Sequence, residues 1–108
     1  RGTIVEAFRH AFESCDVLLA PTVPMTAFER GFTSKDAVET YQTDICTVPM
    51  NIAGLPAVSV PCGFDAKGLP IGMQLIGGHF DEARILRAAY AYEQQCADTI
   101  YRPTAFGV

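Results

Sequence analysis

Basic residues are scarce in this sequence: 8 Lys and Arg stand against 12 Asp and Glu, for a net charge of -4. No stripe or cluster of Lys and Arg is present, which excludes electrostatic nucleic-acid binding by this segment. No apolar run approaches the length of a membrane-spanning helix. The amino end, Arg1-Gly2-Thr3, lacks the layout of a signal peptide. The 4 cysteines, Cys15, Cys46, Cys62 and Cys96, never form a Cys-x-x-Cys pair. Their wide, irregular spacing argues against a zinc site and reads as reduced, buried thiols of a cytosolic protein. Repeats and low-complexity tracts are also missing.

Residues for common active-site motifs are absent too. Ser14, Ser34 and Ser59 are the only serines, and none sits in a Gly-x-Ser-x-Gly elbow. Gly54-Leu55-Pro56 and Gly77-Gly78 lack both the Lys-Ser/Thr of a phosphate loop and the spacing of a dinucleotide fingerprint. His10 and His79 have no partners at metal-ligand spacing and read as surface or loop histidines. A Cys62–His79 nucleophile pair has neither an orienting group nor a glycine-rich oxyanion nest, so both residues read as structural. No metal ligand and no catalytic residue is assigned.

What remains is a foldable chain of 108 residues, 49% apolar and 19% charged, enough for one small domain. Ile4, Phe8, Phe12 and Cys15 recur at helical spacing, widened by Val5 and Ala11, with Arg9 and Glu13 off the stripe. Val17-Leu18-Leu19-Ala20, closed by Pro21, reads as a strand buried on both faces. A long loop follows to about Tyr41, of the kind that is usually functional or mobile.

Ile45, Val48 and Ile52 share one helical face, and Gly54 followed by Pro56 stops that helix. Either Asp44 or Thr47 can cap it: with Thr47, Pro49 falls harmlessly in the first turn, and with Asp44 it bends the helix. Ala57-Val58-Ser59-Val60 alternates as a strand ended by Pro61. Asp65-Ala66-Lys67-Gly68 is turn material, and Ile71–Ile76 alternates again, so the two strands form a wide hairpin. Gly72 within the second strand implies a close neighbour over that face. Asp81 caps a last helix with the stripe Ile85, Ala89, Tyr92 and Cys96, and the tail from about Asp98 is irregular.

Helix, strand, loop, helix, strand, strand, helix is an α/β order. The three strands demand a larger sheet than they form themselves. That demand, and a start inside a helix without Met, predict a piece of a longer protein.

Asp44 is the one polar residue with a functional reading. Its ordinary role is a helix cap; its functional role is a carboxylate aimed at a cationic substrate group in a shielded cleft. The two are compatible.

The run Asp44–Phe64 (D-I-C-T-V-P-M-N-I-A-G-L-P-A-V-S-V-P-C-G-F) closely resembles the carboxy-terminal core of amidase-signature enzymes. So do Gly68–Gly77 (G-L-P-I-G-M-Q-L-I-G), Phe80-Asp81-Glu82, Ala91-Tyr92-Glu93 and the upstream Asp16–Thr22 (D-V-L-L-A-P-T). The resemblance covers nearly the whole chain in one order. It implies that residues 1–108 are the carboxy-terminal portion of an amidase-signature domain without an internal boundary. The implied fold is α/β/α, a mixed sheet flanked by helices.

Tyr41-x-x-Asp44-Ile45 before Thr47-x-Pro49-x-Asn51 most resembles the glutaminase (A) subunits of glutamyl-tRNA amidotransferases. That resemblance implies that Asp44 binds the α-ammonium of glutamine. It also implies a Ser–cis-Ser–Lys triad on an upstream Gly/Ser-rich stretch that this chain does not contain, so the 108 residues alone are expected to be inactive. The arginine for the glutamine carboxylate belongs upstream as well and is not Arg1. No cofactor is expected in this chain; ATP and Mg²⁺ belong to a partner B subunit that amidates Glu-tRNA(Gln), with a small C subunit holding the pair in the cytoplasm. The composition of the loop after Thr22, and Cys46 and Met50, depart from the pattern. A general amidase of the same family and a non-enzymatic interaction module are the alternatives.

Overall fold

A computed structural model describes residues 2–31 and 44–96. Residues 32–43 of the long loop, Tyr41 among them, and the tail from residue 97 lie outside the described residues. Among the described residues six elements follow in order: α1 (Gly2–Ala11), β1 (Leu18–Pro21), α2 (Val48–Ala53), β2 (Ala57–Phe64), β3 (Pro70–Ile76) and α3 (Glu82–Gln95). The strands form one antiparallel sheet in the order β1-β3-β2.

The wide hairpin is present. β2 and β3 pair from Ala57 opposite Ile76 to Phe64 opposite Pro70. The turn is built by Asp65. Its Oδ1 accepts from the N–H groups of Lys67 and Leu69, both at 2.9 Å, and its Oδ2 accepts from the Thr26 hydroxyl at 2.9 Å. Gly68, at φ 84°, takes the left-handed position that the turn requires.

β2 does not stop at Pro61 as the sequence predicts; it continues to Phe64 through a register shift between Pro61 and Gly63. Proline is tolerated because, among the described residues, β2 has a strand on one side only, so its missing N–H can face outward.

β1 also departs from expectation. Among the described residues it is an edge strand, and Leu19 is 65% exposed. A run that reads as buried on both faces is covered on one, because no described residue shields the other. β3, the central strand, supplies the buried centre with Gln74, Leu75 and Ile76.

The α2 face is a third correction. Met50 and Ala53 are buried, whereas Ile45 and Ile52 are exposed. In a helix of 6 residues the facing side is set by what it meets, and α2 packs against α1. Thr47 is the N-cap residue and Pro49 lies in the first turn, which resolves the two options. Gly54, at φ 73°, ends the helix, and the Leu55 N–H reaches back to the Met50 carbonyl at 3.0 Å.

α3 matches its predicted stripe: Ile85 and Ala89 are buried. Asp81 precedes it without a side-chain cap and pairs with the Arg84 guanidinium at 3.1 Å instead. α3 packs on β2 and β3. Gly77 makes the tight exit from β3 possible, since a Cβ there would meet Ile85 Cγ2 at 2.7 Å.

Candidate functional site

The surroundings of Asp44 are assembled around Gln74. Alternation along β3 puts Gly72, Gln74 and Ile76 on one face. Gln74 stands between Ala20 of β1 and Ser59 of β2, two small residues that leave room for its carboxamide. The side chain is 3% exposed. Its Nε2 donates to the Pro21 carbonyl at 3.0 Å and to the Cys46 carbonyl at 2.7 Å. One amide thereby ties the end of β1 to the segment before α2.

That segment is held by further carbonyl contacts. The Thr47 N–H and hydroxyl donate to the Asp44 carbonyl at 3.0 and 3.1 Å. Asn51 Nδ2 donates to the Thr47 carbonyl at 2.9 Å. The Thr47 hydroxyl is therefore turned back to Asp44 and does not cap α2. Backbone groups outside a ladder need such partners, and here side chains supply them at Asp44, Cys46 and Thr47.

Asp44 itself is exposed and makes no ion pair with another described residue. It stands three residues before Thr47, which with Thr22, Asn51, Ser59 and Gln74 among others lines a cleft of about 310 Å³. Asp44 does not line that cleft. Across the same sheet face, Thr22 and Ser59 share a hydrogen bond of 2.7 Å over Gly72. This is the close neighbour that a glycine in β3 implied.

The other candidate groups are dispersed. His10 pairs with Glu13 at 3.3 Å on the exposed side of the first helix. His79 donates from Nε2 to the Ala53 carbonyl at 3.2 Å, and Cys62 lies in β2. The four cysteines are half-buried. Ser34 lies outside the described residues. No group of three metal-ligating side chains occurs among the described residues, and no described helix is long and apolar enough to cross a membrane. A second cleft, of about 280 Å³, is lined by Phe8 of α1, Phe12 just beyond it, Leu55 and His79 among others.

Gln74 is the residue that reading the sequence for chemistry misses. It is visible there only as a polar residue in an apolar strand, and its role depends on the segments that meet over it.

The three-stranded sheet is built on a hairpin whose second strand carries the run G-x-P-x-G-x-Q-x-I-G, Gly68–Gly77. The sequence model of the family described as Amidase matches residues 1–86, and the chain belongs to that family. Within it, the chain is 55% identical over 94 residues to the A subunit of glutamyl-tRNA(Gln) amidotransferase from Brevibacillus brevis, covering 87% of this chain and 19% of that protein. The corresponding protein of Synechococcus sp. strain CC9605 is 53% identical over 105 residues, covering 97% and 21%. The crystal structure of the Thermotoga maritima counterpart superposes with a TM-score of 0.76 at 42% identity, covering 83% of this chain and 20% of that one. A 6-aminohexanoate cyclic dimer hydrolase shares the fold, with a TM-score of 0.73 at 24% identity over 95% of this chain and 24% of that one. The chain thus spans about a fifth of the length of the curated relatives it matches.

Proposed function

We propose that residues 1–108 act as the carboxy-terminal portion of an amidase domain in a glutaminase (A) subunit, forming one wall of a glutamine pocket. In this reading Asp44 receives the α-ammonium of glutamine. The observation that carries it is an exposed carboxylate, unpaired among the described residues, on a backbone held by Gln74 and Thr47. The match to amidotransferase A subunits at 55% and 53% identity supports the choice of substrate.

The chemistry follows from charge. Glutamine differs from a plain amide by its ammonium and carboxylate. A fixed carboxylate gains a charge-assisted hydrogen bond from the ammonium, and an amide without that group leaves it unpaired. The bond-breaking serines and lysine reside on polypeptide outside these residues, and the isolated segment does not hydrolyse amides. The released ammonia passes to a B subunit that uses ATP and Mg²⁺ on Glu-tRNA(Gln), with a C subunit completing a cytoplasmic complex.

The test is Asp44→Ala in the full-length protein within its complex. The proposed role predicts a loss of roughly 10- to 100-fold in kcat/KM for glutamine. An unchanged value for glutamine favours a general amidase.

A further inference from the structure

We infer that Gln74 is a positioning residue for substrate selection: its carboxamide fixes the backbone at Cys46 and so sets where the Asp44 carboxylate stands. The inference rests on the glutamine reading of Asp44.

Three observations converge on it. Gln74 is the one buried polar side chain among the described residues, and it sits mid-strand in the centre of the sheet. Both of its hydrogen bonds go to carbonyls of other segments, 53 and 28 residues away in the chain. The Cys46 bond is also the shorter of the two, at 2.7 Å. Cys46 lies inside the turn closed by Thr47 on the Asp44 carbonyl. A displacement at Cys46 therefore moves Asp44, because the turn between them is held as a unit.

The Pro21 bond gives the same amide a second hold, on the strand end that leads to Thr22. The sheet, through one side chain, thus fixes both the recognition acid and the Thr22–Ser59 edge of the cleft. Without Gln74 both carbonyls lose a buried donor and the segment is free to settle elsewhere. A misplacement on the order of 1 Å is enough to cost up to roughly 100-fold in a positioned interaction.

The test compares glutamine with glutaramate, the analogue in which hydrogen replaces the α-amino group. Both are assayed on the full-length protein in its complex. The quantity read is the ratio of the two kcat/KM values, which is independent of the fraction of folded enzyme. Gln74→Met keeps the length and removes the donors; Gln74→Asn keeps the amide and shortens its reach. Both are expected to lower the ratio by roughly 10-fold, chiefly through a raised KM for glutamine. Leu75→Ala is the control: Leu75 is equally buried but points to the opposite face, so its loss weakens the fold and leaves the ratio unchanged.

If both Gln74 variants keep the ratio within about twofold while Asp44→Ala collapses it, the inference is wrong and the glutamine reading stands. A ratio lowered equally by Leu75→Ala also overturns it, since general loosening then suffices. If Asp44→Ala leaves the ratio intact, the glutamine reading fails and takes the inference with it.

Discussion

The hydroxyls of Thr22 and Ser59 meet at 2.7 Å directly over Gly72, joining the outer strands across the one position of β3 without a side chain. A Cβ on Gly72 would lie 3.1 Å from Ser59 Oγ and 3.3 Å from Thr22 Oγ1. Gly72→Ala is therefore expected to destabilise by about 1–3 kcal/mol. Adding Ser59→Ala removes the nearer obstacle, so the double variant should recover part of that loss. Urea unfolding of the four proteins in the cycle measures the coupling, and strict additivity would show that the contact is not the cause.

Asp65 makes the hairpin turn sensitive to acid. The Leu69 N–H, then the Thr26 hydroxyl and the Lys67 N–H, hold its carboxyl below the ordinary 3.8. A depressed folded-state value means that the unfolded chain binds the proton more readily. The contribution is present above the ordinary value and is lost as pH falls through the folded-state value. Asp65→Asn should flatten this part of the acid limb in a plot of unfolding midpoint against pH. Glu6, lowered by its hydrogen bond and charge interaction with Arg9, titrates in the same direction and keeps a residual slope in the variant. An acid limb identical to that of the parent would refute the assignment.

Two neighbouring leucines separate core from rim. Leu75 is 4% exposed and its register partner Leu19 is 65% exposed. Leu75→Ala should cost about 2–5 kcal/mol by chemical denaturation. Leu19→Ser should stay within about 0.5 kcal/mol. Equal losses would mean that Leu19 is covered in solution.

Leu19, Phe28, Phe80, Leu86 and Tyr90 are each more than half exposed on this chain. Apolar surface of that kind is expected to drive self-association of the 108 residues when made alone. Light scattering over a dilution series reads it directly, and a monomer at all concentrations would contradict the expectation.

Periodicity carried the helices and strands because each rests on a local pattern. The α3 stripe at Ile85 and Ala89 and the alternation of β3 are both read from neighbours in the chain. The departures arise where a distant segment decides. Pro61 ends a strand only if its nitrogen would face a partner, and in β2 it has an open side. Six residues of α2 offer several faces, and packing on α1 chose Met50 and Ala53 over Ile52. Asp44 stood out as an acid in an apolar block, but nothing near it in sequence pointed to Gln74, 30 positions on. The length of β1 gave no sign of which face would be bare.

The two edge prolines have a consequence for what can join this sheet. Thr22 N–H reaches inward to the Gly72 carbonyl, so alternation turns Pro21 nitrogen outward, and Gly72 faces β1, which turns Pro61 nitrogen outward on the far side. Within β1 only Leu19 then presents an amide hydrogen to the outside. An intruding strand would find almost no rung to grip along that flank, so the ribbon resists lateral annexation there and leaves β2 the more receptive border.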